Sequence, residues 1–166
     1  MEPCPTVSYI TGIANATQIP ANTSLQNNIT TIIGYSIPTT NMGGIVISPN
    51  NGQFTIPING RYIITVFIGF VESIMANGNP VSTSPATRQI YIYKISNSIS
   101  APTLLTEDSK NATYSVSSVV NTYISIATTA DLTAGDRIFV AASQTNVNNI
   151  TIPTTTDGRF TITRLC

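Results

Sequence analysis

The sequence predicts an all-β fold, an antiparallel two-sheet jelly-roll sandwich, on three observations. The first is composition. Of 166 residues 42% are hydrophobic and only 8% are charged, where soluble domains carry roughly 25% charged residues. Thr, Asn and Ser cover the surface instead, and Ile leads the apolar share. β-branched side chains pack well on a pleated sheet, and Asn, Gly and Pro punctuate turns. Lys, Glu, Gln and Leu are scarce, so a long amphipathic helix has little to be built from. The second observation is a succession of strand-like runs with turn signals between them. The third is that the strongest run, Arg61 to Phe70, is apolar on both faces.

Thr6 to Gly12 is the first run, followed by a polar stretch from Asn15 to Asn28 that Pro20 breaks. Thr30 to Ile37 is the second, ended by Pro38. Gly44 to Ser48 is a short third, closed by the turn Pro49-Asn50-Asn51-Gly52. Gln53 to Pro57 alternates Phe54 and Ile56 with polar neighbours, and Asn59-Gly60 reads as a hairpin turn. In Arg61 to Phe70, Tyr62, Ile64, Val66, Ile68 and Phe70 share one face, and Ile63, Phe67 and the small Gly69 share the other. Such a strand is central and covered on both sides. One cover is the sandwich core; the other is expected to be a second copy of the chain.

Glu72 to Ala86 reads as a polar loop. Gln89 to Ser96 is a strand, with Ile90 and Ile92 opposed to Tyr91, Tyr93 and Ile95. Ser98 to Ser109 reads as a loop and Tyr114 to Thr128 as an extended region. Arg137 to Ser143 is a strand with Ile138 and Val140 on one face. Asn146 to Thr156 is rich in Asn and Thr, Asp157-Gly158 is a turn, and Arg159 to Leu165 is the last strand. About eight to ten strands without an intervening helix point to an antiparallel sandwich. The domain is expected over 9–166, with 1–8 as an N-terminal arm carrying Cys4. Phe54, Tyr62, Ile64, Val66, Ile138, Val140, Phe160 and Ile162 are the expected core.

Little in the chain supports catalysis. There is no His, which removes the commonest general base and the Ser-His-Asp and Cys-His arrangements. Two cysteines cannot build a four-Cys zinc site. Glu107-Asp108, the adjacent acidic pair, falls in the stretch read as a loop, where solvation is expected rather than a carboxylate dyad. No phosphate-binding glycine pattern is present. A formal net charge of zero leaves no basic stripe for nucleic acid. No apolar run approaches the roughly 20 residues of a membrane span, and no signal peptide is visible. The expectation is a non-enzymatic protein with no cofactor and no metal. Low charge weakens colloidal repulsion, which suits a protein that assembles with itself.

Three segments carry a family resemblance. Asn51-Gly52-Gln53-Phe54-Thr55-Ile56-Pro57-Ile58-Asn59-Gly60-Arg61-Tyr62 resembles the pattern G-x-F-x-(V/I)-P-x-x-G-x-Y that opens the core of the complement globular heads and the tumour-necrosis-factor superfamily. Leu132-Thr133-Ala134-Gly135-Asp136-Arg137-Ile138 resembles the L-x-x-G-D-x-(V/I) turn late in that domain. Gly158-Arg159-Phe160-Thr161-Ile162-Thr163-Arg164-Leu165 resembles its final strand. The resemblance implies a homotrimeric jelly roll. The Thr/Asn/Ile composition and last strand are also similar to bacterial spore-surface and exosporium proteins of bacilli, with a giant-virus particle protein as the next context. The implied function is a structural surface protein that forms or decorates an extracellular layer, spore appendage or fibre, with itself and a surface-layer protein as partners. A virion surface head and a secreted receptor- or glycan-binding module are the alternatives.

Gly52, Gly60, Gly135 and Gly158 are expected at positive φ or tight reversals. Asp136 is expected to accept backbone hydrogen bonds in its turn, with a metal role as the lesser alternative. In this family the first and last strands are antiparallel neighbours, which would bring Cys4 near Cys166. An intrachain staple, a bond between subunits and free thiols all remain open, and the bond between subunits is the expectation.

Overall fold

A computed structural model describes residues 9–14, 16–22, 30–32, 40–48, 50–72, 75–76, 79–80, 86–112, 120–145 and 152–165. Their strands are Tyr9–Ala14 (β1), Gln18–Ile19 (β2), Ala21–Asn22 (β3), Thr30–Thr31 (β4), Thr40–Met42 (β5), Val46–Ser48 (β6), Gln53–Thr55 (β7) and Gly60–Glu72 (β8). They continue with Met75–Ala76 (β9), Asn79–Pro80 (β10), Thr87–Ile95 (β11), Pro102–Asn111 (β12), Val120–Leu132 (β13), Arg137–Thr145 (β14), Ile152–Pro153 (β15) and Gly158–Leu165 (β16).

Two sheets make the sandwich. The first runs β13-β8-β16-β1-β5 and is antiparallel throughout. The second runs β12-β11-β14-β7-β6, with β4 antiparallel and the two-residue β3 parallel on β14. β8 pairs along its length with β13, from Gly60 opposite Leu132 to Glu72 opposite Val120. Its other edge pairs with β16, Val66 opposite Phe160 and Ile64 opposite Ile162. Period-2 alternation therefore sends Tyr62, Ile64, Val66, Ile68 and Phe70 inward with Ile124, Ile126, Phe160 and Ile162, and all of these are buried. The second sheet contributes Phe54, Ile90, Ile92, Ile138 and Val140 to the same core. Phe54 meets Phe160 across the sandwich, ring centroids 4.6 Å apart and tilted by 49°. Tyr62 is fully buried and keeps its hydroxyl satisfied by donating to the Ile58 carbonyl at 2.7 Å.

Several expectations are corrected. Asn59-Gly60 is not a hairpin turn, because β7 pairs with β14 and β6 while β8 lies in the other sheet. Residues 56–59 cross between the sheets, tied down by Ile56 N–H to the Asp136 carbonyl and Gly135 N–H to the Ile56 carbonyl, each 2.8 Å. The hairpin is one step earlier: β6 and β7 pair around the turn ending at Gly52, whose φ is 63°. Ser98 to Ser109 is not a loop, since β12 occupies most of it and pairs with β11. Glu107 and Asp108 therefore stand on an exposed edge strand. The stretch read as a loop from Glu72 carries the short β9/β10 pair, and the polar stretch from Asn15 carries β2 and β3. β5, which pairs with β1, falls where no strand was expected. Residues 33–37 of the second run and 114–119 of the extended region lie outside the described residues, as do 1–8, Cys4 and Cys166.

Candidate functional site

The three motif segments meet at one end of the sandwich. Gly135 sits in the turn between β13 and β14 with φ of 90°. A Cβ there would stand 2.8 Å from the Asn97 side chain, so both backbone and space call for glycine. The neighbouring Asp136 carboxylate is buried and saturated. Oδ2 accepts from the Thr133 N–H at 2.9 Å and lies 2.8 Å from Lys94 Nζ, and Oδ1 accepts from the Asn97 N–H at 3.0 Å. Burial pushes its pKa up, but the Lys94 hydrogen bond, the two backbone donors and the Lys94 charge hold it below its ordinary value. With an ammonium in the cation's place, Asp136 is a structural latch between β11 and the turn. Among the described residues no three His, Cys, Asp or Glu side chains lie together as metal ligands.

Gly60 and Gly158 depart from the positive-φ expectation, since neither is among the left-handed glycines. Close packing accounts for both. A Cβ at Gly60 would press on the Arg164 side chain at 2.5 Å, and one at Gly158 would lie 3.0 Å from Ile68 Cδ1 and 3.2 Å from Ala14 Cβ.

The outer face of the first sheet is the surface with functional character. β8 presents Ile63, Thr65, Phe67, Gly69 and Val71 there, flanked by Tyr123 and Ser125 of β13, Arg159 and Thr161 of β16, and Ile13 of β1. Phe67 stacks on Tyr123 at 5.1 Å and 11°. Ile63 and Phe67 are half-buried, while Ile13 and Leu165 are exposed by 41% and 38%. The opposite outer face, on the second sheet, differs. There Tyr91, Ile95, Phe139 and Ala141 are buried in a small cluster of their own, with Tyr91 hydrogen-bonded to Ser143 at 2.9 Å.

At the Gly69 end, the first sheet's outer face opens into a cleft of about 550 Å³ lined by Val71, Asn121, Tyr123, Thr155 and Asp157. Two of the lining side chains pack directly on Gly69, where a Cβ would stand 2.5 Å from both Tyr123 Cε1 and Thr155 Oγ1. The Thr155 N–H donates to the Gly69 carbonyl at 2.7 Å, which ties residue 155 to β8. A hydrogen-bond chain orients the polar groups: Asn121 Nδ2 donates to the Tyr123 hydroxyl at 3.1 Å, and that hydroxyl donates to Asp157 Oδ2 at 3.4 Å. Asn121 Oδ1 and Thr155 Oγ1 are buried without a partner. The cleft residues were missed from the sequence. The available signal was Gly69 interrupting an apolar strand, which marks a close approach.

The tumour necrosis factor (TNF) family profile matches residues 44–160, from before the β6/β7 hairpin into β16. The chain belongs to the TNF family. Its fold agrees with solved TNF-family structures: Eiger TNF from S. frugiperda superposes with a TM-score of 0.67 at 10% identity, covering 97% of this chain and 94% of that one. Murine APRIL superposes at 0.61 with 14% identity, covering 96% and 99%. An uncharacterized protein of Acanthamoeba polyphaga mimivirus is 38% identical over 99% of the chain, which spans 62% of that protein's length. The TNF fold is a non-enzymatic, extracellular type of module. A viral relative gives the spore-surface expectation no support and agrees with the virion alternative.

Proposed function

We propose that the chain is a non-enzymatic, self-assembling surface module, a homotrimeric jelly-roll head displayed on the outside of a particle. The observation that carries it is the outer face of the first sheet. Ile63, Phe67, Tyr123, Ile13 and Leu165 put apolar surface on a central strand and its neighbours, interspersed with Thr65, Ser125, Arg159 and Thr161, whereas the second sheet buries its equivalent side chains within the chain. An apolar sheet face of this kind is stable when a further layer covers it. A second and third copy supply that layer in a closed ring, the arrangement typical of TNF-fold proteins. The viral relative favours a virus particle as the setting. Sedimentation at micromolar concentration should give about three times the 17.6 kDa chain mass, and Phe67→Asp should shift it towards monomer. A monomer across that range for the unaltered chain would remove the proposal.

A further inference from the structure

The cleft beside Gly69 is rich in acceptor oxygens. Asp157 contributes a carboxylate whose described contact is the long bond from Tyr123. Asn121 Oδ1 and Thr155 Oγ1 add two buried oxygens without partners, and Thr155 is itself more than nine-tenths buried. The hydrogen-bond chain fixes this polarity. Because the Tyr123 hydroxyl donates to Asp157, it must accept from the Asn121 amide, and the Asn121 oxygen is left facing away. A buried oxygen left unbonded costs about 1–3 kcal/mol; the Asn121 oxygen can only accept, the Thr155 hydroxyl can accept as well as donate, and with the Asp157 carboxylate beside them the site suits a cationic, many-donor occupant.

The complementary group stands on the same face. Arg159 opens β16 opposite Phe67, is exposed, and has no hydrogen-bond or ion-pair partner among the described residues. It borders a shallow depression of about 130 Å³ with Thr65, Phe67 and Ser125. Asp157 and Arg159 are neighbours in sequence, yet no ion pair joins them within the chain. In a closed ring every interface is head-to-tail, so one patch of a subunit meets a different patch of the next. We propose that the Arg159 guanidinium of one subunit enters the Asp157 cleft of its neighbour, so that the cleft is complete only in the assembly. Guanidinium brings five donors in a planar fork, enough for the carboxylate, the Asn121 oxygen and the Thr155 oxygen together. The Tyr123 ring offers its π-face to the same cation.

This inference rests on the trimer proposed above, and a double-mutant cycle on assembly separates the two. The subunit dissociation constant is measured by sedimentation for the unaltered chain, Asp157→Asn, Arg159→Gln and the double variant, with thermal melts to verify folding. Each single change is expected to weaken assembly roughly tenfold, and the double change no more than either alone. Thr155→Val should weaken the unaltered chain and leave Arg159→Gln untouched. Single effects that multiply in the double variant, or single variants that assemble as well as the unaltered chain, would overturn the pairing while leaving the trimer standing. A monomeric unaltered chain would overturn both.

Discussion

Asp136 shows how much one side chain can organise. Its two oxygens take three donors from two elements: Thr133 in its own turn, and Lys94 and Asn97 at the end of β11. That Asp136 accepts from backbone in its turn was legible, because Asp is a turn residue whose side chain bonds nearby N–H groups, though the donor is the Thr133 N–H three residues back. The β11 contacts were not, since Asn97 is 39 residues distant and nothing in local spacing reports which strands become neighbours. Asp136→Asn keeps the shape but removes the charge, leaving Lys94 without its counter-ion and one N–H without an acceptor. We expect urea unfolding to show a loss of roughly 2–3 kcal/mol. The same residue sets an acid limit. Its folded pKa lies below the ordinary 3.8, so the unfolded chain binds the proton first as pH falls. The stabilisation is complete well above 3.8 and is lost as pH drops through the folded value. Asp136→Asn should lose less stability than the unaltered chain over that interval.

At the scale of elements, legibility followed burial. β8 was plain in the sequence because both of its faces carry apolar side chains, which write a continuous Ile/Val/Phe/Tyr pattern. β12 was invisible for the opposite reason. It is the edge of the second sheet and nearly every position is exposed, so no alternation is imposed on it. Only at the register shift opposite Ile92 and Tyr93 does a side chain, Leu105, pack against the core. Asn59-Gly60 misled because a hairpin needs two strands that pair with each other, and β7 is already held by β6 and β14. The charges on β12 have a purpose of their own: Glu107, Asp108 and Lys110 line an open edge, where charge discourages pairing with stray strands. Replacing them together (Glu107→Val, Asp108→Thr, Lys110→Val) should leave the fold intact but produce open-ended association. Light scattering that grows with time and concentration is the expected reading; a variant that stays at one discrete size would contradict this role for the edge.

At the scale of the whole molecule, β1 and β16 run side by side, Tyr9 opposite Thr163. Cys4 and Cys166 lie just beyond the two described strands in sequence, and a bond between subunits would make an assembly indifferent to dilution in oxidising surroundings. On a denaturing gel without reductant we expect bands at multiples of the chain mass, collapsing with reductant and in Cys4→Ser or Cys166→Ser. A lone monomer band that runs faster when oxidised would show a staple within the chain instead. The same strand pair also dictates a timetable. β16 lies between β8 and β1 in space but follows every other strand in sequence, and Thr11 and Thr161, which touch across it, are 150 residues apart. Closing so long a loop adds little to the equilibrium cost but much to the waiting time, placing the chain among folds that form in roughly milliseconds to seconds. Until β16 docks, the first sheet has no middle, and its apolar outer face cannot be presented in register to another copy. In the proposed trimer, folding of each subunit would therefore come before recognition between subunits, and any condition that slows the last strand would lengthen the period in which Ile63 and Phe67 are open to the wrong partner.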